Sequence, residues 1–82
     1  MNLAAELSMY PFNENFRPLI KNFIEKLNSY ADLDVRTSAT STIVIGEYQY
    51  VMQVITEMLA WSHAEHGKSV FVSKFIPDYK AE

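Results

Sequence analysis

Cysteine is absent from this chain of 82 residues, which removes disulfides, thiolate metal centres and cysteine nucleophiles from consideration. Glycine occurs twice and proline three times, too seldom for a linker-rich or low-complexity architecture. Basic residues are scarce too: seven Lys and Arg stand against ten Asp and Glu, for a formal net charge of -3. With no basic stripe, neither nucleic acid nor an anionic membrane is expected as a partner. No uninterrupted apolar run reaches the ~20 residues of a membrane-spanning helix. The opening MNLAAELSMYP lacks a basic leader region, carries Glu6 inside its apolar part and meets Pro11. It does not read as a signal peptide, and a cytoplasmic protein is expected.

What the chain has in quantity is apolar surface, with hydrophobic residues at 49%. At this length the expectation is a single domain over 1–82, large enough for one two-layer core. A core that small, without disulfides, needs reinforcement, and oligomerisation is the obvious substitute.

The pattern changes period along the chain. From Asn2 to Tyr10, Leu3, Ala5, Leu7 and Met9 alternate with Glu6, Ser8 and Tyr10, which predicts a strand. Phe16, Leu19, Ile20, Phe23, Ile24 and Leu27 then fall at helical spacing, with Asn13 or Asn15 to cap the start and Pro18 within the first turn. Leu33 to Thr40 alternates again, and Thr42 to Ile45 is a β-branched run closed by Gly46, so a hairpin with its turn near Ala39 to Ser41 is expected. A second helical stripe carries Tyr48, Val51, Met52, Ile55, Leu59 and Ser62, flanked by Val54, Met58 and Trp61, and Gly67 suits its C-terminal cap. Ser69 to Ile76 is a last strand, and the tail from Asp78 to Glu82 is expected to fray.

The order βαββαβ predicts an α+β fold of the ferredoxin-like kind: a four-stranded antiparallel sheet with two helices on one face. The other face should then be polar, yet the last two strands do not allow it. Either Ile43 and Ile45 or Val44 must point away from the helices, and likewise either Val70 and Val72 or Phe71 and Phe75. Such a patch implies that the sheets of two subunits meet face to face, giving a homo-oligomer. Burial of ~1,000 Å2 would contribute over ~20 kcal/mol before association costs are subtracted.

Few residues offer chemistry. Glu6 shares a strand face with Ser8 and Tyr10; it either pairs with Lys74 across strands or faces a cationic ligand, and its spacing decides nothing. Five of the six residues from Thr37 to Thr42 bear hydroxyls. Such residues close turns by bonding local backbone, but a dense set also matches the donor and acceptor edges of a small heterocycle. Trp61 is either packing or a stacking platform. His63 and His66 lack a third ligand at diagnostic spacing, and no catalytic triad or phosphate loop occurs. No metal, cofactor or enzymatic activity is expected.

The segments AAELSMYP, RTSATSTIVIGEY and MLAWSHAEHGKSVFVSKF resemble the thiamine-binding protein family, the YkoF-like group, with similarity running from Leu3 to Ile76. That resemblance implies a non-catalytic domain that binds thiamine or its hydroxymethylpyrimidine moiety, assembles through its sheets into dimers or tetramers, and serves vitamin salvage or transport. By position the ligand site would fall on Glu6, Ser8, Thr37, Ser38, Thr40 and Ser41, near the contact between the sheets of two subunits. The thiazolium cation would suit Glu6 and a ring such as Tyr10 or Trp61. The rival expectations are an assembly or regulatory domain without a ligand, and a small isomerase or hydrolase with Glu6 as general base.

Overall fold

A computed structural model describes residues 1–80. Its elements are β1 (Asn2–Pro11), α1 (Phe16–Asn28), β2 (Asp34–Thr37), β3 (Thr42–Glu47), α2 (Tyr48–His66) and β4 (Ser69–Pro77). The four strands form one antiparallel sheet in the order β2-β3-β1-β4, the ferredoxin-like α+β arrangement expected from the pattern.

Register fixes which side chains share a face, because directly opposed residues of antiparallel strands project the same way. Ala5 opposes Val44 on one side and Phe75 on the other, and Val44 opposes Val35. This row lies toward the helices: Leu3, Ala5 and Val44 are buried beneath Phe23 and Leu27 of α1 and Val51, Val54, Ile55 and Met58 of α2. Full burial of one such aliphatic side chain stabilises by about 1.5–3 kcal/mol. The buried stripe of α2 runs through Val51, Val54, Ile55, Met58 and Ser62, while Tyr48 and Leu59, placed on the stripe by periodicity, are exposed. The helix is rotated so that the flanking Val54 and Met58 take the sheet.

Local chemistry sets the ends. Asn15 occupies the N-cap of α1 without a side-chain cap bond; instead Asn13 Oδ1 accepts from Asn15 N at 2.8 Å. Glu47 caps α2, its carboxylate accepting from Gln49 N at 2.7 Å. Gly67 ends α2 with φ 74, a left-handed value that favours glycine. Gly46 serves close approach: a Cβ there would stand 2.9 Å from Leu33 Cδ2 and 3.2 Å from Val51 Cγ2. The tail does not leave the sheet at Asp78, since Tyr79 N donates to Asn2 O at 3.0 Å. The expected fraying of residues 81 and 82 lies outside the described residues.

The other face of the sheet carries no helix. Ile43, Ile45, Val70, Val72 and Ile76 project there, so the strands that are apolar on both sides turn these residues outward. Ala4, flanked by Ile45 and Ile76, is nevertheless buried.

Candidate ligand-binding site

The hydroxyl run forms the end of the β2–β3 hairpin. β2 stops at Thr37, three residues before the alternation does, because Ser38 closes the turn itself. Its N–H donates to Ser41 O at 2.8 Å and its hydroxyl to the same carbonyl at 3.2 Å. Thr37 and Thr42 oppose each other on the helix side with their hydroxyls 3.3 Å apart. Ser8 reaches across from β1, its hydroxyl donating to Thr40 O at 3.1 Å. Several hydroxyls therefore do the local work that such residues do in turns. The hydroxyls of Thr40 and Ser41 take no partner among the described residues.

This turn faces α1. Between them lies a cleft of about 90 Å3, floored by Leu7 and Met9, walled by Ile20, Phe23 and Ile24, and rimmed by the whole segment from Thr37 to Thr42. The cleft adjoins a wider groove of about 460 Å3 that shares Met9, Ile20, Ala39 and Thr40 with it and adds Tyr10, Pro11 and Phe16. An apolar floor with hydroxyls along one rim is the surface that a flat, polar-edged ring requires: contact for its faces, donors and acceptors for its edge. It arises because only Phe23 and Leu27 of α1 are buried, so the helix's first two turns stand over the sheet without closing on it.

The remaining site candidates lie elsewhere. Glu6 is on the open face of the sheet, 3.8 Å from Lys74 across the β1–β4 ladder, in a shallow depression of about 280 Å3 lined also by Ala4, Arg36, Ile43 and Ile76. The flanking Arg36 is itself held by Asp34 at 2.7 Å, which raises the guanidinium pKa through the hydrogen bond first and the opposite charge second. Two carboxylates thus meet two cations, so the depression offers no net negative charge to attract a cationic ring. Trp61 is on α2, on the other side of the sheet from Glu6, packed at the edge of the core with Lys26 Nζ 6.0 Å from its ring centroid and His66 edge-on at 5.6 Å. It lines neither the cleft nor the groove.

The structure therefore brings together Thr37, Ser38, Thr40 and Ser41, with Ser8 supporting their turn, and sets Glu6 and Trp61 apart. Sequence reasoning missed Met9, Ile20 and Phe16 as groove residues. The signal available was that Phe16 and Ile20 lie on the half of α1 nearest the hydroxyl run once the ferredoxin-like order is assumed. His66 is bound to Asn22 of α1 through Nε2 and Oδ1 at 2.8 Å, and no group of three or more His, Asp or Glu gathers among the described residues. No helix of the described chain is long and apolar enough to cross a membrane.

No family model matches the chain, and no curated protein matches it. Solved structures do. A Thermotoga maritima protein provisionally assigned to thiamine biosynthesis or salvage superposes with a TM-score of 0.83 at 22% identity, covering 98% of this chain and 85% of that one. A Streptococcus pneumoniae protein gives a TM-score of 0.86 at 17% identity, over 96% of this chain and 89% of its own. A hypothetical protein of Methanocaldococcus jannascii gives 0.80 at 23% identity, over 99% and 84%. What the chain shares with them is the fold. Function has to be argued from its own surfaces.

Proposed function

We propose that this chain binds thiamine or its hydroxymethylpyrimidine moiety, without catalysing a reaction on it, in the groove between α1 and the hydroxyl turn. The observation that carries the reading is the composition of that groove: an apolar floor and wall of Leu7, Met9, Ile20 and Phe23 against the hydroxyl rim of Thr37 to Thr42. Thr40 and Ser41, unpartnered, are the side chains that meet the aminopyrimidine edge. The similarity in fold to a Thermotoga maritima protein provisionally assigned to thiamine biosynthesis or salvage supports the choice of ligand. The larger end of the ligand occupies the wider groove beside Tyr10 and Phe16, whose exposed rings offer a face to the thiazolium cation.

Calorimetry with thiamine, hydroxymethylpyrimidine and thiamine phosphates tests this directly. Saturable heat is expected from the first two, together with several-fold weaker binding to a Thr40→Val, Ser41→Ala variant. No heat from any of the compounds at millimolar concentration would end the proposal. Glu6→Gln is expected to leave thiamine affinity unchanged, because Glu6 lies across the sheet from the cleft.

The open sheet face belongs to the same reading. Ile76, 56% exposed, lies across Ala4 from Ile45 and near Ile43, and Val72, 50% exposed, lies beyond the Glu6–Lys74 pair; together they are apolar surface that a second copy of the chain covers. Four of its charges are already paired within the subunit, Asp34 with Arg36 and Glu6 with Lys74, so covering it strands none of these. An assembly domain without a ligand remains the second reading, favoured by this face alone; the calorimetry separates the two.

A further inference from the structure

β4 raises a separate problem. It is an edge strand, paired only with β1, and so runs nine residues with one side of its backbone unmatched. Natural sheet edges are usually kept short, charged or covered, since the unpaired N–H and C=O groups template pairing with another chain. Here Lys74 is the single charge between Ser69 and Pro77. The strand is also apolar toward the helices, where the helix layer does not reach its far end: Phe71 is half-buried against Phe23, ring centroids 5.4 Å apart, but Phe75 on the same face is 45% exposed. Covering the open face of the sheet would leave both the edge and Phe75 uncovered.

We infer that β4 pairs antiparallel with β4 of a second copy of this chain about a twofold axis at Ser73, joining two four-stranded sheets edge to edge. The sequence Phe71-Val72-Ser73-Lys74-Phe75 is arranged for this register. Ser73 opposes itself, Phe75 opposes the partner's Phe71, and Lys74 opposes the partner's Val72 rather than another lysine. On the helix side the uncovered Phe75 then extends the partner's Phe71–Phe23 contact into a row of three rings. On the open side Val70 opposes the partner's Ile76, lengthening the apolar surface already present. Moving the axis to Val72 sets both phenylalanines against serines, and moving it to Lys74 sets like charges together. A second copy is the occupant that this symmetry selects, since an isologous contact needs the same patch to fit itself.

The pairing does not depend on the ligand, and it is distinguishable from face-to-face stacking because Ser73 and Phe75 project toward the helices, away from the open face. The chain has no cysteine, so Ser73→Cys introduces a single thiol. Opposed Cβ atoms in an antiparallel pair stand about 4.5–5.5 Å apart, close enough for a disulfide with slight adjustment. Under mild oxidation Ser73→Cys is expected to form covalent dimer at least about tenfold faster than Thr56→Cys, an exposed position on α2. In sedimentation equilibrium Phe75→Glu, altering a side chain its own subunit leaves exposed, is expected to raise the dimer dissociation constant about tenfold or more. Equal cross-linking rates for the two cysteine variants, or an unchanged dissociation constant for Phe75→Glu, would overturn the inference.

Discussion

The two helices lie on the same face of the same sheet and do different things there. α2 buries five residues along its length and presses Val51, Val54 and Met58 into the centre of the core. α1 buries two, both in its C-terminal half, and its N-terminal half stands over the hydroxyl turn with Leu19 and Ile20 only partly covered. The difference teaches where a small domain can place a binding groove. Packing has to be complete somewhere for the fold to survive, and the incompletely packed end of α1 is then available for a ligand.

The comparison breaks if the helices prove equally important for stability. Met58→Ala, at the centre of α2, should destabilise the domain by about 2–5 kcal/mol, as buried large-to-small changes do. Ile20→Ala on α1 should cost about 1 kcal/mol or less, because its side chain is already part-exposed, and should instead weaken thiamine binding about fivefold. Denaturant titrations at one fixed protein concentration, which holds any association constant, measure the first pair of effects, and calorimetry the last. A loss of stability at Ile20 equal to that at Met58 would mean that the groove is part of the core and leave no vacant surface for a ligand.

How much of this was legible beforehand follows the same division. Element order was readable because the apolar spacing changes between strands and helices and hydroxyl-rich turn residues separate β2 from β3, signals that do not depend on tertiary context. The facing of β3 and β4 was not readable: Ile43-Val44-Ile45 is apolar at every position, and only pairing of Val44 with Ala5 and Val35 turns it inward. The hairpin turn lies where the pattern put it, near Ala39 to Ser41, and β2 stops at Thr37 because Ser38 satisfies the turn by its own hydroxyl. At the site, the density of hydroxyls was visible in sequence, but the wall that gives them a ligand-sized space belongs to α1, a separate element. That Glu6 and Trp61 lie on opposite sides of the sheet follows once the Leu3, Ala5 and Leu7 face of β1 is set beneath the helices, which puts Glu6 on the open face.

A hydrogen bond from the segment after α1 to α2 gives the comparison its finest test. Tyr30, two residues beyond α1, donates its hydroxyl to Glu57 Oε1 of α2 at 3.0 Å, and Glu57 also accepts from Gln53 Nε2 at 3.0 Å. Partial burial, and then the hydrogen bond to the Glu57 carboxylate and its negative charge, raise the phenol pKa above its ordinary value. A group whose folded pKa exceeds its unfolded one binds its proton more tightly when folded, so its contribution is fully present below the unfolded tyrosine value of about 10 and is lost as pH rises through the folded pKa. Tyr30→Phe should therefore lower stability by under about 1 kcal/mol at pH 7, the ordinary net worth of an exposed hydrogen bond, and the gap between the two proteins should narrow as pH climbs past about 10. Because Glu57 keeps Gln53 as a donor, the substitution strands no buried charge, and what it removes is one of the side-chain hydrogen bonds that join α1 and the residues after it to α2. If the gap stays constant through that alkaline range, the phenol and the carboxylate are not coupled in solution, and the loosely packed helix is held to its neighbour by apolar contacts and the His66–Asn22 hydrogen bond.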